Sequence, residues 1–384
     1  MILTPIFWFF GLVAIIFLIS LAIGSVIGMI LLLKKFIKAP NSALKWIALS
    51  MMAITLIFTS AVSIIATPNI IRWMSELNVI DVHADPAIVA EFERTTIRNQ
   101  FHPFADGTET ATADFEPSLI ITEDYPHLDG ATAFFPVYSA VVETLYDGLD
   151  IGTVKDYVWL STTRDAFQRL VRGNADIIFT LQPSQAQIDD ADNFKVEYIM
   201  TPIFREAFVF FVSEDNPVMG LTTEQVQQIY MGEITNWKTV GGRNERILAY
   251  QRNPGSGSQT TMEQFVMDGL TMVSPPTELR EDTMGTMLRA LAQFTNNESA
   301  LGYSFRFYAT VMNPQEGLRM LAIDGVAPTP ENITNGSYPF TVEIYAITTA
   351  KGLENPNTQA VIDWLVSPQG QRLIELTGYV GLTQ

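Results

Sequence analysis

Two long apolar runs in the first 75 residues constrain this chain more than anything after them. Ile6 to about Leu33 is broken only by small residues such as Gly11, Ser20, Gly24, Ser25 and Gly28, and Trp46 to about Ile65 forms a second run. At a rise of about 1.5 Å per residue, a run of roughly 20 residues crosses a hydrocarbon core. The sequence therefore predicts a membrane anchor over 1–75 with two transmembrane helices, about 6–33 and 46–68. No charged segment precedes the first run, which is also longer than the apolar part of a cleavable signal, so both spans are expected to be retained. Lys34, Lys35, Lys38 and Lys45 lie between them. The positive-inside rule puts that loop in the cytoplasm, and everything after about Ile71 outside the cell membrane. Gly24 and Gly28 form a small-residue pattern suited to packing one span on the other or on a partner.

Charge separates the two parts. Residues 1–75 contain no acid and five cations, Arg72 being the fifth; with a net charge of −18 for the whole chain, residues 76–384 carry −23. Such a surface repels nucleic acid, and any anion site on it must work through local donors. Cysteine is absent, and His83, His102 and His127 are scattered without metal-ligand spacing. No metal site and no cofactor motif is read.

After an amphipathic stretch from Ile70 to about Glu93, with Pro86 near a helix start, residues 101–117 are polar and aperiodic. Residues 76–117 are expected to form a stalk or linker. From Ser118 onward strand and helix signals alternate. Ser118–Ile121, Tyr157–Leu160 and Asp176–Phe179 are strand-like, Asp129–Thr132 is a turn, and Val137–Tyr146 has helical spacing. This rhythm predicts an α/β domain with a mostly parallel sheet, in which ligands sit beyond the carboxyl ends of strands.

The stretch Gln251–Thr260 is the candidate ligand turn. It follows the short apolar strand Ile247–Tyr250 and precedes the helical spacing of Met262, Phe265 and Val266. A strand, a Gly/Ser turn and a helix start make an anion site, because the first helical amides lack intrahelical partners and that end is partly positive. Gly255 and Gly257 permit close approach, Ser256 and Ser258 donate, and Arg252 is the one nearby cation. The lysine of a nucleotide-binding P-loop is missing. Two more turns occupy equivalent places, one at Thr132 and one at Ser161, Thr162 and Thr163. An ordinary capped helix start is the competing explanation of each turn alone.

The region from about Leu128 to the C-terminus resembles the phosphate-binding proteins of high-affinity phosphate ABC importers, members of the periplasmic-binding-protein superfamily. The resemblance rests on Asp129–Tyr138, on Thr222–Gly242, on the R-x-x-G-S-G-[ST] turn of Arg252–Ser258, and on Ala300–Tyr303 and Ser367–Gln371. It implies a two-lobed α/β fold of the type II, Venus-flytrap kind, here preceded by two transmembrane helices. Phe204–Val212 and Tyr338–Thr348 would cross between lobes. Lobe 1 would comprise 118–204 with 339–384, and lobe 2 205–338. It implies a ligand held by Thr132 and Ala133, by the Ser161–Thr163 cluster, and by Arg252, Gly255, Ser256, Gly257 and Ser258. The ligand would be phosphate or a similar small oxyanion, delivered to an importer permease or reported to a membrane sensor.

Two departures from the family pattern bear on selectivity. The family's aspartate after the strand matching 176–180 falls near Leu181 here, and the acid inside the last turn is replaced by Pro254. A carboxylate acceptor is what separates a protonated oxyanion from sulfate. These departures motivate an alternative, a structural or signalling module that kept the fold without the ligand. Catalysis is not suggested: Glu206 beside Arg205, and Asp215, sit where charge is usually solvated, and no nucleophile–base pair is seen.

Overall fold

The computed structural model describes residues 86–276, 279–293 and 297–382. The expected membrane spans lie outside the described residues, and no helix among the described residues is long and apolar enough to cross a membrane.

In chain order, α1 (Pro86–Gln100) leads through an irregular segment to β1 (Leu128–Gly130), α2 (Phe135–Leu145), α3 (Thr163–Val171), β2 (Ile177–Thr180), α4 (Gln185–Phe194) and the long β3 (Ile199–Ser213). Then come β4 (Gly220–Leu221), α5 (Thr223–Tyr230), β5 (Leu248–Ala249), β6 (Gln251–Arg252), α6 (Gly257–Thr261), β7 (Arg280–Glu281), α7 (Met284–Gln293), β8 (Ala300–Phe305), β9 (Leu318–Met320), β10 (Ala322–Ile323) and α8 (Pro330–Thr334). The chain returns through β11 (Thr341–Thr348) to α9 (Thr358–Val366), α10 (Pro368–Leu376) and β12 (Val380–Gly381). Local chemistry sets many of these boundaries. Ser184 with Gln187, and Thr222 with Gln225, form reciprocal capping boxes at α4 and α5.

Strand β3 is the spine of a two-lobed α/β fold. Its first half pairs antiparallel with β11 up to Ala207 and with β12 at Phe204 and Arg205. From Phe208 it pairs with β8, and from Phe211 with β9. One strand thus joins two halves of an eight-stranded sheet, and the partner changes between Ala207 and Phe208. β1 and β2 extend the sheet beyond β11, and β5 extends it beyond β8. The run Ala207–Val212 is buried throughout, as a strand covered on both faces requires. Aromatic packing crosses the junction: Phe134 lies edge-on to Phe204 at 5.6 Å, and Phe208 meets Tyr303 at 5.2 Å.

The structure corrects several local expectations. The sheet is mixed rather than mostly parallel: β1–β2 and β5–β8 are parallel, while every pairing of β3 and β11 is antiparallel. The returning chain runs beside the outgoing one, and period-2 patterning does not encode that direction. Leu128–Gly130 is a strand rather than part of a turn, whereas Ser118–Ile121 and Tyr157–Leu160 contribute only single bridges, at Ile121 and Val158. Residues 101–117 contain no helix or strand, yet they are pinned: Asp114 pairs with Arg372 at 2.7 Å and the Phe115 ring meets Trp364 at 6.4 Å. Met262–Val266 continues α6 as a π-helix.

Candidate functional site

The first two turns are joined by a buried carboxylate. Asp129, at 0% exposure, accepts hydrogen bonds through Oδ1 from the amides of Gly130 (2.8 Å) and Ser161 (3.1 Å). Thr132 completes the join by donating its hydroxyl to the Ser161 carbonyl at 3.1 Å. Burial pushes the Asp129 carboxyl up to about 6, against the opposing pull of the Ser161 and Gly130 hydrogen bonds and of Arg169. Arg169 Nε stands 3.2 Å from Oδ2, at ion-pair distance but without hydrogen-bond alignment. Its guanidinium lies 3.8 Å from the centre of the Trp159 ring, which holds it from behind.

These contacts distinguish the three hydroxyl residues of the second turn. Ser161 is engaged through both backbone groups with the first turn. Thr162 caps α3, its hydroxyl accepting from the Asp165 amide at 3.2 Å. Thr163 is buried and faces the second half of the chain: a β-carbon built on Gly257 would lie 2.8 Å from Thr163 Oγ1 and 3.1 Å from Leu181 Cδ1. Only glycine lets the third turn approach this closely. Ala133 lies in the short 3-10 turn after Thr132, and its carbonyl accepts from the Tyr379 hydroxyl.

The third turn is built around Arg252. Strand β6 pairs with β7, so the guanidinium meets the end of that neighbour. Nε donates to the Glu281 carbonyl at 3.1 Å, Nη2 to the Asp282 carbonyl at 2.8 Å, and Nη1 reaches Ser258 Oγ at 3.5 Å. Arg252 is buried, and desolvation lowers its proton affinity against the pull of Glu93. Among the described residues no carboxylate forms an ion pair with it. Gly255 takes φ +78°, a left-handed conformation that favours glycine, and Ser256 caps α6 by accepting from the Gln259 amide at 3.3 Å.

Arg164 was not among the expected site residues, and it overturns the reading of Arg252 as the one nearby cation. It donates to the Pro254 carbonyl and lies against Gly255, so a second guanidinium touches the third turn. Its position one residue after the Ser161–Thr163 cluster, at a helix start, was the available signal. The three turns converge, and Leu181 sits between the second and third. A cavity of about 790 Å³ adjoins them through Leu181 and runs along Thr260, Thr261, Arg205 and Tyr345. None of the expected ligand residues lines it. Converging amides and hydroxyls are what a small oxyanion requires, so the turns rather than this cavity fit that chemistry.

Glu206 corrects a further expectation. It is buried in β3 instead of solvated, accepting from the amides of Ala207 (2.7 Å) and Phe307 (3.3 Å), with Arg306 Nε at 3.7 Å. Burial pushes its carboxyl up to about 7, with Arg306 opposing. Arg306 in turn donates to the Gly378 carbonyl at 3.1 Å. This buried pair ties β3 to the segment after β8 and to the residues before β12.

Residues 122–369 match the model of the PBP superfamily domain, and the chain belongs to that superfamily. Among curated relatives, it is 26% identical over 181 residues to the phosphate-binding protein PstS of Borreliella burgdorferi, covering 46% of this chain and 63% of that protein. It is 28% identical over 173 residues to the Bacillus subtilis phosphate-binding protein PstS, covering 45% and 54%. The chain thus spans less than two thirds of either relative. Of solved structures, a Clostridium perfringens protein with bound phosphate superposes with a TM-score of 0.52 at 23% identity, over 67% of this chain and all of that one. An ABC-type phosphate transport receptor from Vibrio cholerae gives 0.50 at 22%, over 66% and 99%. These two likenesses carry the fold alone.

Proposed function

We propose that the chain is a membrane-anchored, extracytoplasmic solute-binding protein for phosphate or a similar small oxyanion, feeding an ABC importer or a sensor. The observation that carries this reading is the meeting of three donor-rich turns, the third holding a buried guanidinium that bonds to neutral acceptors and has no carboxylate at ion-pair distance among the described residues. The phosphate-binding relatives support it, and the two apolar runs of residues 1–75 support anchoring in the bilayer. In this reading the amides and hydroxyls of Thr132, Ala133 and Thr163 serve from one lobe. Arg252, Gly255, Ser256, Gly257 and Ser258 serve from the other, and Ser161 and Thr162 shape the second turn. Lobe 1 comprises 118–204 with 339–384, and lobe 2 comprises 205–338. Cleft closure follows from each lobe contributing donors, so that the ligand favours the closed state by its differential contacts. Binding rather than catalysis is the role.

Leu181 packed on Gly257, and the Pro254 carbonyl taken by Arg164, favour the second reading of a ligand-free module. Thermal unfolding of the full chain with phosphate, sulfate, phosphonates and carboxylates discriminates. A ligand at 100 times its Kd stabilises the native state by about 2.7 kcal/mol. We expect an oxyanion to raise the melting temperature, with weak discrimination between phosphate and sulfate because residues 181 and 254 supply no proton acceptor. No shift with any of them at millimolar concentration favours the ligand-free module.

A further inference from the structure

Helix α1 lies outside the matched domain of residues 122–369 yet places a carboxylate inside it. Glu93 is 9% exposed. Tyr308, in the π-turn after β8, donates its hydroxyl to Glu93 Oε1, and Asn313 donates to the Tyr308 hydroxyl at 3.3 Å. Glu93 Oε2 has no hydrogen-bond partner among the described residues. It lies against the first turn of α7, where a β-carbon on Gly285 would come within 2.5 Å of it. That turn begins two residues after Asp282, whose carbonyl holds Arg252. Of the charges acting on Arg252, Glu93 most strongly opposes the effect of burial. A half-partnered carboxylate and a buried guanidinium on which it acts therefore lie close together beside the third turn.

The same segment is fastened to the other lobe a few residues later. The Phe104 amide donates to Glu143 of α2, and Asp114 pairs with Arg372 of α10 at 2.7 Å. Residues 93–114 thus join the two lobes through side-chain contacts, a tie additional to β3 and β11.

We infer that α1 is a strap that reports the state of the cleft, with Glu93 as its anchor on the lobe that holds Arg252. This rests on the oxyanion reading above and adds its regulation. Closure over the ligand seats Glu93 against Tyr308 and Gly285; opening loosens it. A buried carboxylate oxygen without a partner is costly, so the contact is poised to release. Small changes in lobe position then shift a two-state equilibrium at the helix.

Hydrogen exchange of the full chain with and without inorganic phosphate, paired with calorimetry, tests this. We expect phosphate to slow exchange across residues 90–100 by about tenfold or more, since local opening of the helix is what the ligand suppresses. Glu93→Gln should still bind phosphate, while its ligand-dependent protection of α1 disappears. Tyr308→Phe, which keeps the Glu93 charge and removes the anchor's donor, should do the same and serves if the first variant fails to fold. Phosphate binding without any change in α1 of the unaltered protein overturns the strap and leaves the oxyanion reading standing, as does full protection in both variants. No phosphate binding at all removes both.

Discussion

The first and third turns, the two walls of the proposed cleft, are each organised by a buried charge, of opposite sign, and the two charges are handled differently. On the first wall Asp129 collects donors from Gly130 and Ser161 on Oδ1, with Arg169 at ion-pair distance from Oδ2, and so joins the first two turns. On the second wall Arg252 is held by two backbone carbonyls and a serine, all neutral. A carboxylate spent on internal amides joins turns without adding an exposed negative charge. A guanidinium hydrogen-bonded to neutral acceptors, with no carboxylate at ion-pair distance among the described residues, is only partly offset by the charge of Glu93. One wall therefore supplies shape and hydroxyls and the other supplies charge, a division that suits the proposed small anion in a chain whose residues 76–384 carry −23 overall.

The sharpest way to break this comparison is to remove the charged wall. Arg252→Ala should weaken oxyanion binding by about 2–4 kcal/mol, the scale for losing a desolvated charged partner. Calorimetry with phosphate reads this directly, and an unchanged affinity would place the ligand elsewhere. Loss of folding is separable, since the thermal midpoint of the unliganded variant reports it.

Next come the buried acids, where the contrast becomes one of pH. Burial raises Glu206 from an ordinary 4.5 to about 7. Its contribution to stability is fully present below about 4.5 and is lost as pH rises through about 7, amounting to about 3 kcal/mol at about 1.36 kcal/mol per pK unit. Asp129 behaves alike between about 3.8 and about 6. Glu206→Gln should flatten the loss of stability between pH 5 and 8, and Asp129→Asn the loss between pH 4 and 7, in denaturant titrations repeated across pH. A slope that persists in both variants would show that neither carboxyl carries this burden.

How much of this was legible beforehand depended on the range of the interaction responsible. The third turn was readable because its chemistry is local: Gly255, Ser256 and Gly257 specify a left-handed residue, a cap and a close approach within three positions. The buried run after Ala207 was readable for the same reason. Sheet direction was not, because antiparallel return of β11 along β3 is decided by a connection of more than a hundred residues. The role of Asp129 was hidden in a turn motif: the amide it accepts from is that of Ser161, thirty-two positions away. Residues 101–117 looked like linker because their anchors, Trp364 and Arg372, lie near the other end of the chain. Glu206 looked solvated because a single acid beside an arginine in sequence gives no sign that its partner is Arg306.

The two smallest predictions ask whether the walls meet as tightly as the glycine at 257 implies. Gly257→Ala places a methyl 2.8 Å from Thr163 Oγ1, closer than real β-carbons come, so the first wall must retreat. Overpacking of this kind costs about 1–3 kcal/mol, and with Thr163 and Gly257 on opposite lobes, as in the proposed division, it falls on the closed state. Oxyanion affinity should fall by about tenfold or more while unfolding of the unliganded protein moves little. Equal losses in both measurements would mean that the contact belongs to a permanent core and not to a closing cleft. Arg164→Ala is the milder probe of the same seam. The side chain is exposed, and its bond to the Pro254 carbonyl is the sort of surface contact worth about 1 kcal/mol or less. If that bond only steadies the closed form, affinity drops a few-fold and high salt erases the difference between variant and parent. If Arg164 instead lends its charge to the ligand, the loss approaches that of Arg252→Ala, and the second guanidinium joins the first in the binding wall.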